Sequence, residues 1–266
     1  MSSAVRVLRG EGFARDVAEE LQRADTGAIS ADSVKRHFEA TGRLLKGDPH
    51  SAVYLAQLAG RHCYCKLFFA KSSRQRLLFR LNRSRGQRSF DVAHRLRALA
   101  LPVPEPLACI GLPGAVLFVT DVAPGTDLKA LWLQQVQAGD WPAALAACGL
   151  AMAQLHAAGF SHGDTKWSNL LWDGATVTLV DLDAVRHSAD RSRRARDLAR
   201  FTLNAEEMNV PAALYEHFLL SYGNASGESR ATLEKLTLRA LHGLRRRHLK
   251  RYGPRGHRLL GETNHD

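Results

Sequence analysis

The sequence predicts an α+β protein in two parts, a strand-rich part over residues 1–122 and a helix-rich part over residues 123–266. Three observations carry that prediction. Short apolar runs punctuated by Gly- and Pro-bearing turns recur between Gly42 and Asp121, as strands joined by tight turns would. After Pro124-Gly125 apolar residues instead recur at three- and four-residue spacing, the signature of helices packed by one face. Hydrophobic residues make up 45% of the chain, enough to bury a core and too many for wholesale disorder.

Taken in order, residues 13–24 (FARDVAEELQRA) read as an amphipathic helix. From Gly42, the run GRLLKGDPHSAVYLAQLAGRHCYCKLFF reads as three strands with turns at Gly47-Asp48-Pro49 and Gly60-Arg61. Residues 72–100 read as a helix with Phe90, Leu96 and Leu99 among its apolar positions. Leu101-Pro-Val-Pro-Glu-Pro stops it, because proline lacks a donor and biases its predecessor away from helix. Two strands follow at Leu107–Leu112 and Ala115–Asp121, joined through Pro113-Gly114. Residues 142–158 place Leu145, Cys148, Met152 and Leu155 on one helical stripe, and Gly159 is a natural stop. Leu170–Trp172 and Val177–Val180 pair through Asp173-Gly174, and from Ser188 onward the chain reads mostly as helix.

The formal net charge of +11 calls for an anionic partner, unless the protein is merely basic: nucleic acid, an acidic membrane surface or a phosphorylated substrate. Two basic runs carry much of it, Lys71–Arg88 and Leu244–Arg258. No zinc-finger or RNA-recognition motif accompanies them, so nucleic acid is not expected. No apolar run approaches the roughly 20 residues that span a bilayer, and MSSAVRVLRGEGFARD has no apolar export core. The expectation is a cytoplasmic protein, with peripheral association at the inner membrane. Cys63 and Cys65 flank Tyr64 in a strand and share a face. Without CxxC spacing they read as small buried residues in a reducing compartment rather than a metal pair.

The chemistry concentrates in FSHGDTKWSNLLWDGATVTLVDLDAV, Phe160–Val185. Phosphoryl transfer needs a carboxylate to orient and deprotonate the attacking hydroxyl, oxygen ligands for magnesium, and a cation near the transferring group. Asp164 supplies the first and Lys166 the last. Asn169 lies five residues after Asp164, and the hairpin carries Asp181 back beside it. An amide oxygen and a carboxylate suit magnesium, which prefers oxygen and keeps several waters.

HGDTKWSN resembles the catalytic loop of the protein-kinase-like fold, H-x-D-x-x-x-x-N, and VDLD resembles its metal-binding segment. HGD, KWSNLLWD and LVDLDAV together look most like the lipopolysaccharide core heptose kinase family, including its InaA-like members. The resemblance runs more weakly from about Gly42 to about Arg200. It implies a two-lobed fold with a strand-rich N-lobe and a helical C-lobe, ATP and Mg2+ as cofactors, Asp164 as base, and Asn169 and Asp181 as metal ligands. Asp183 reads as a surface carboxylate or a second metal contact. Lys66, alone in the apolar strand CYCKLFF, would meet nucleotide phosphates, and the amides between Gly47 and Tyr54, around Ser51, would cover them. That loop has one Gly where the pattern has three. Adenine would bond backbone near Asp121–Ala123. Asp127 reads as a ribose contact or a helix N-cap, and Asp197 as a support for the catalytic loop.

The helix acid that usually holds the strand Lys falls near Ser89, with Asp91 the nearest carboxylate. The leading expectation is an ATP- and Mg-dependent kinase for a heptose hydroxyl of the lipopolysaccharide inner core, with an anionic glycolipid or sugar as its partner. Alternatives are a small-molecule or protein kinase of the same fold, or a nucleotide-binding pseudokinase acting as a partner at the membrane.

Overall fold

A computed structural model describes residues 5–24, 29–70, 72, 79, 84–134 and 141–261. The chain divides into two compact units, Met1–Ala98 with Pro104–Val122, and Leu99–Val103 with Ala123–Asp266.

The first unit is built on a six-stranded sheet in the order β1-β5-β6-β4-β3-β2, every pair antiparallel. Its strands are β1 (Arg6–Arg9), β2 (Arg43–Asp48), β3 (Ser51–Leu58), β4 (Arg61–Phe69), β5 (Pro106–Leu112) and β6 (Ala115–Asp121). Strand period fixes the faces of β4: Cys63, Cys65 and Leu67 enter one apolar cluster with Tyr54, Ile110 and Val119. Helices α1 (Gly12–Ala24) and α2 (Ala31–Thr41) cover that cluster with Val17, Leu21, Val34 and Phe38. Neither α2 nor β1 was expected from the sequence. Burial pushes the Cys63 thiol up to about 11 and Cys109 up to about 12, which leaves them protonated, small and apolar. All four cysteines are buried and free, as the strand pattern implied for Cys63 and Cys65.

Helix α3 (Arg85–Ala98) lies near the other face, with Phe90 edge-on to Phe118 at 6.4 Å. Gly86 sets its approach, since a Cβ there would meet Val116 at 2.8 Å. The helix expected over 72–100 is described only in this C-terminal half, and Leu99 falls beyond it, 53% exposed. The front of that stretch, with most of the basic run Lys71–Arg88, lies outside the described residues.

The second unit is mostly helical: α4 (Leu128–Leu133), α5 (Trp141–Ala157), α6 (Arg191–Glu207), α7 (Ala212–Ser226) and α8 (Arg230–Tyr252). Helices α5 and α7 pack closely enough that a Cβ on Gly149 would meet the Phe218 carbonyl at 2.4 Å. A small sheet in the order β7-β8-β9 adjoins them, from Thr126–Asp127, Leu170–Trp172 and Val177–Leu179. The β8–β9 link is longer than the two-residue Asp-Gly turn expected. Trp172 pairs with Val177, and Asp173 Oδ1 accepts the N–H groups of Ala175 and Thr176 at 2.9 and 2.7 Å. The Asp side chain has recruited two further residues into an Asx-type turn.

Candidate active site

The Ser161–Asn169 loop is suspended between three anchors. Its start pairs with the segment after Asp181: Ser161 N–H donates to the Arg186 carbonyl and Arg186 N–H to the Ser161 carbonyl, both at 3.0 Å. Gly163 has φ 80°, and a Cβ there would sit 2.8 Å from the Ala184 carbonyl. The middle position of HGD therefore tolerates no side chain.

The second anchor is Asp197 of α6, 1% exposed. Its carboxylate accepts the N–H groups of His162 and Gly163 at 2.7 and 2.8 Å. His156 Nε2 donates to it at 3.1 Å, and His156 Nδ1 hydrogen-bonds Tyr222 Oη at 2.8 Å. The Thr165 hydroxyl donates to the Asp197 carbonyl at 2.6 Å. Asp197 thus holds the loop by hydrogen bonds, the supporting role expected of it.

The third anchor is Trp167, fully buried in an aromatic cluster with Trp132, Trp141 and Phe201, its backbone N–H donating to Asn204 Oδ1 at 3.0 Å. With Trp167 turned inward, Lys166 is left on the open side of the loop, where its ammonium meets Asp164 Oδ2 at 2.9 Å.

His162 links the loop to the chain that leads from β9 into Asp181. Burial holds its imidazole below the usual range, against the nearby Asp charges. The neutral ring accepts the Asp164 N–H at Nδ1 (3.3 Å) and donates from Nε2 to the Val180 carbonyl (3.1 Å). Asp164 itself sits between two cations. Arg200 Nη1 donates to its Oδ1 at 2.6 Å, opposite Lys166 on Oδ2. Burial pushes this carboxyl up, but the hydrogen bonds and charges of Lys166 and Arg200 together hold it below the usual carboxylate range.

Asn169 completes the loop. Its Nδ2 donates to the Asp164 carbonyl at 2.9 Å and to Asp164 Oδ2 at 3.1 Å. With both amide hydrogens committed to Asp164, the carboxamide oxygen is the group's remaining acceptor. Val180 N–H donates to the Asn169 carbonyl at 3.0 Å, which brings the next residue, Asp181, beside Asn169. Asp181 adopts φ 61°, ψ 57°, a left-handed backbone that Asp tolerates better than most residues and that marks functional turns. Among the described residues no group of three or more His, Cys, Asp or Glu is placed to hold a metal ion. The oxygen pair of Asn169 and Asp181 fits a hard ion that retains water, not a caged transition metal.

In the first unit, Lys66 lies in mid-β4 opposite Phe118 and Val53, its ammonium 5.3 Å from the Phe68 ring centre. Asp91 forms a bidentate pair with Arg9 of β1, at 2.7 and 3.2 Å. Gly47 and Ser51 flank the β2–β3 turn. There Asp48 Oδ1 accepts the N–H groups of His50 and Ser51 at 2.6 and 2.9 Å, and Oδ2 the Ser51 hydroxyl at 3.0 Å. The amides expected to cover phosphate are thus satisfied by the turn's own carboxylate. The Asp121 N–H donates to the Glu105 carbonyl at 3.0 Å, and its carboxylate accepts the Glu105 N–H at 2.6 Å.

In the second unit, Ala123 follows in irregular chain, half-buried. Asp127 caps α4, Oδ1 accepting the Ala130 N–H at 2.9 Å, so the N-cap expected of it is present.

Arg200 is the contact that sequence reasoning missed. Its signal is spacing: three residues after Asp197, it shares a face of α6 with the residue that holds the loop.

A mixed fold with an antiparallel sheet in one unit and a helical second unit is similar to the kinase-like phosphotransferase fold. The crystal structure of aminoglycoside-3'-phosphotransferase of type VIII is similar at a TM-score of 0.55 and 18% identity, covering 78% of this chain and 97% of that one. The chain belongs to the lipopolysaccharide kinase (Kdo/WaaP) family, matching it over residues 21–222. No curated protein matches it. Family membership makes it an ATP-dependent phosphotransferase with an alcohol group as acceptor.

Proposed function

We propose that this kinase uses ATP and Mg2+ to phosphorylate a sugar hydroxyl, a heptose of the lipopolysaccharide inner core. The observation that supports it most is the Asp164 carboxylate, oriented by Asn169 and flanked by Lys166 within a lipopolysaccharide kinase family member. In this reading Asp164 takes the proton of the acceptor hydroxyl as the oxygen attacks the terminal phosphorus and ADP leaves. Lys166, beside Asp164, balances charge on the transferring group. The Asn169 carboxamide oxygen and the Asp181 carboxylate would hold magnesium, which neutralises phosphate charge when bound. Lys66 would meet phosphate, with Gly47 and Ser51 in the covering turn and the backbone at Asp121 and Ala123 receiving the base. His50 and Ser51 would then exchange Asp48 for phosphate.

A pseudokinase is favoured by two features, the self-satisfied β2–β3 turn and the Asp91–Arg9 pair. Calorimetry with magnesium-ATP separates the readings. Asp181→Asn and Lys66→Ala are each expected to weaken binding by about tenfold or more, and Asp183→Asn by less than about threefold. Equal losses at Asp181 and Asp183 would assign the metal to both. Turnover of purified core oligosaccharide then tests the acceptor, and nucleotide binding without turnover on any sugar would favour the pseudokinase.

The C-terminal basic run supports a second element of the reading, docking on an anionic membrane surface. No helix among the described residues is long and apolar enough to cross a membrane. Arg246, Lys250, Arg251 and Arg255 are exposed beside Leu249 and Tyr252, themselves 56% and 42% exposed. Arg245 is different: it pairs with buried Glu206 and donates to the Leu260 carbonyl, so it holds the tail in place. Changing Arg246, Lys250, Arg251 and Arg255 to Gln is expected to weaken co-sedimentation with anionic vesicles at low salt, at about 1 kcal/mol per charge. Binding should fall steeply with added salt. Sedimentation unchanged by the four substitutions would remove this surface from docking.

A further inference from the structure

Beside the catalytic loop, the second unit holds a cavity of about 460 Å³ with a wall of arginines. Arg193, Arg196 and Arg200 project from one face of α6, at steps of three and four residues. Arg239 and Arg247 come from α8, two turns apart with Gly243 between them, and Arg186 from the segment after Asp181. Helix faces that meet normally carry apolar residues, and six guanidiniums around one space repel each other. Two are neutralised locally, Arg193 by Asp190 and Arg200 by Asp164. Arg196, Arg239 and Arg247 have no acidic partner among the described residues. Asp197 is the one acid lining the cavity, and its carboxylate is spent on the loop amides. An adjoining cavity shares Arg196, Arg239 and Ala240 and adds Arg191 and Lys235, so the basic lining continues along both helices.

We propose that this cavity is a binding site for a phosphate-bearing ligand, the phosphate being one already carried by the acceptor. Guanidinium groups on two facing helices offer the paired donors that phosphate oxygens accept, and none of the three unpartnered arginines needs to leave another acid to do so. The site communicates with the chemistry through Arg200, which lines the cavity and donates to Asp164 Oδ1 at 2.6 Å. A phosphate held by Arg196, Arg239 and Arg247 would therefore lie beside a residue that positions the Asp164 carboxylate. Only the source of the phosphate, not the existence of the site, rests on the function proposed above.

The probe is pyrophosphate, titrated into the full chain at fixed ionic strength with magnesium and a non-hydrolysable ATP analogue saturating. Wild type is expected to bind it. Arg196→Gln/Arg239→Gln/Arg247→Gln is expected to bind about 30-fold more weakly, three partly exposed charge-assisted contacts each contributing several-fold. All three residues are exposed, so folding should survive, and circular dichroism checks it. The single Arg239→Gln variant, with a several-fold loss, serves if the triple variant does not fold. No binding by wild type, or equal binding by wild type and variants, overturns the site. For the source, KM is compared for core glycolipid before and after phosphatase treatment. An acceptor-borne phosphate predicts a raised KM after treatment in wild type and no such difference in the triple variant. Equal KM values in wild type would overturn that source and leave free phosphate as the ligand. Absence of turnover on both glycolipids would refute the proposed acceptor while leaving the pyrophosphate result standing.

Discussion

Replacing Asp164 with Ala is expected to slow phosphoryl transfer by about 10²–10⁴-fold while leaving magnesium-ATP affinity within about threefold. The carboxylate is placed by three donors, Arg200, Lys166 and Asn169, and by the fixed backbone of HGD, so its loss removes a positioned proton acceptor rather than a loose surface charge. A general base acts mainly in the transition state, which is why kcat should fall and ground-state binding should not. Removing the carboxylate also leaves Lys166 and Arg200 without it, and the added positive charge opposes any loss of nucleotide affinity. Asp164→Asn keeps the shape and can still accept from Asn169, yet takes no proton, so it should fall nearly as far. Single-turnover kinetics with saturating nucleotide read the chemical step directly. A rate for Asp164→Asn within about tenfold of wild type would take the proton-accepting role away from this residue.

The parts of this molecule that were legible in sequence are those where a local rule and the tertiary result coincide. Cys63 and Cys65 share a buried face because strand period alone decides it, whereas the supporting role of Asp197 was legible only through the resemblance of Arg196–Arg200 to a family segment. The loop's anchors were half visible: Trp167 next to Lys166 shows which way the chain turns once one knows the Trp is buried. Helix α2 was missed because its start is a reciprocal Ser30–Ser33 cap, where the usual pattern places Glu or Gln at the third position. Strand β1 was missed because four residues at a sheet edge carry almost no period. Arg200 and Arg245 escaped for another reason. A basic residue in a basic run looks like a solvated face until the carboxylate it meets, 36 or 39 positions away, is known. Long-range ion pairs have no local signature.

Asp197→Ala is expected to lower the stability of the chain by about 3–5 kcal/mol, a loss at the upper end for a single substitution. The side chain is buried and accepts from two loop amides and from His156, so truncation leaves three buried donors without their partner. Each orphaned donor costs about 1–3 kcal/mol, partly recovered where water can enter. The Thr165 hydroxyl bond survives, because it goes to the Asp197 backbone carbonyl. Asp197→Asn keeps one acceptor oxygen but turns an NH2 group toward a loop N–H, so about half the loss should remain. Urea unfolding measures both changes. The consequence for chemistry is separable from stability. His162 and Gly163 set the position of Asp164, so the fraction of Asp197→Ala that stays folded should turn over at least about a hundredfold more slowly. Phe218→Leu, in the aromatic core of the same unit, provides the control, since it destabilises by loosened packing without touching the loop. Its kcat should match wild type below its melting temperature. If folded Asp197→Ala also keeps a kcat within about tenfold of wild type, the residue supports the fold alone and the loop is positioned by its remaining anchors, Trp167 and the Ser161–Arg186 bridge.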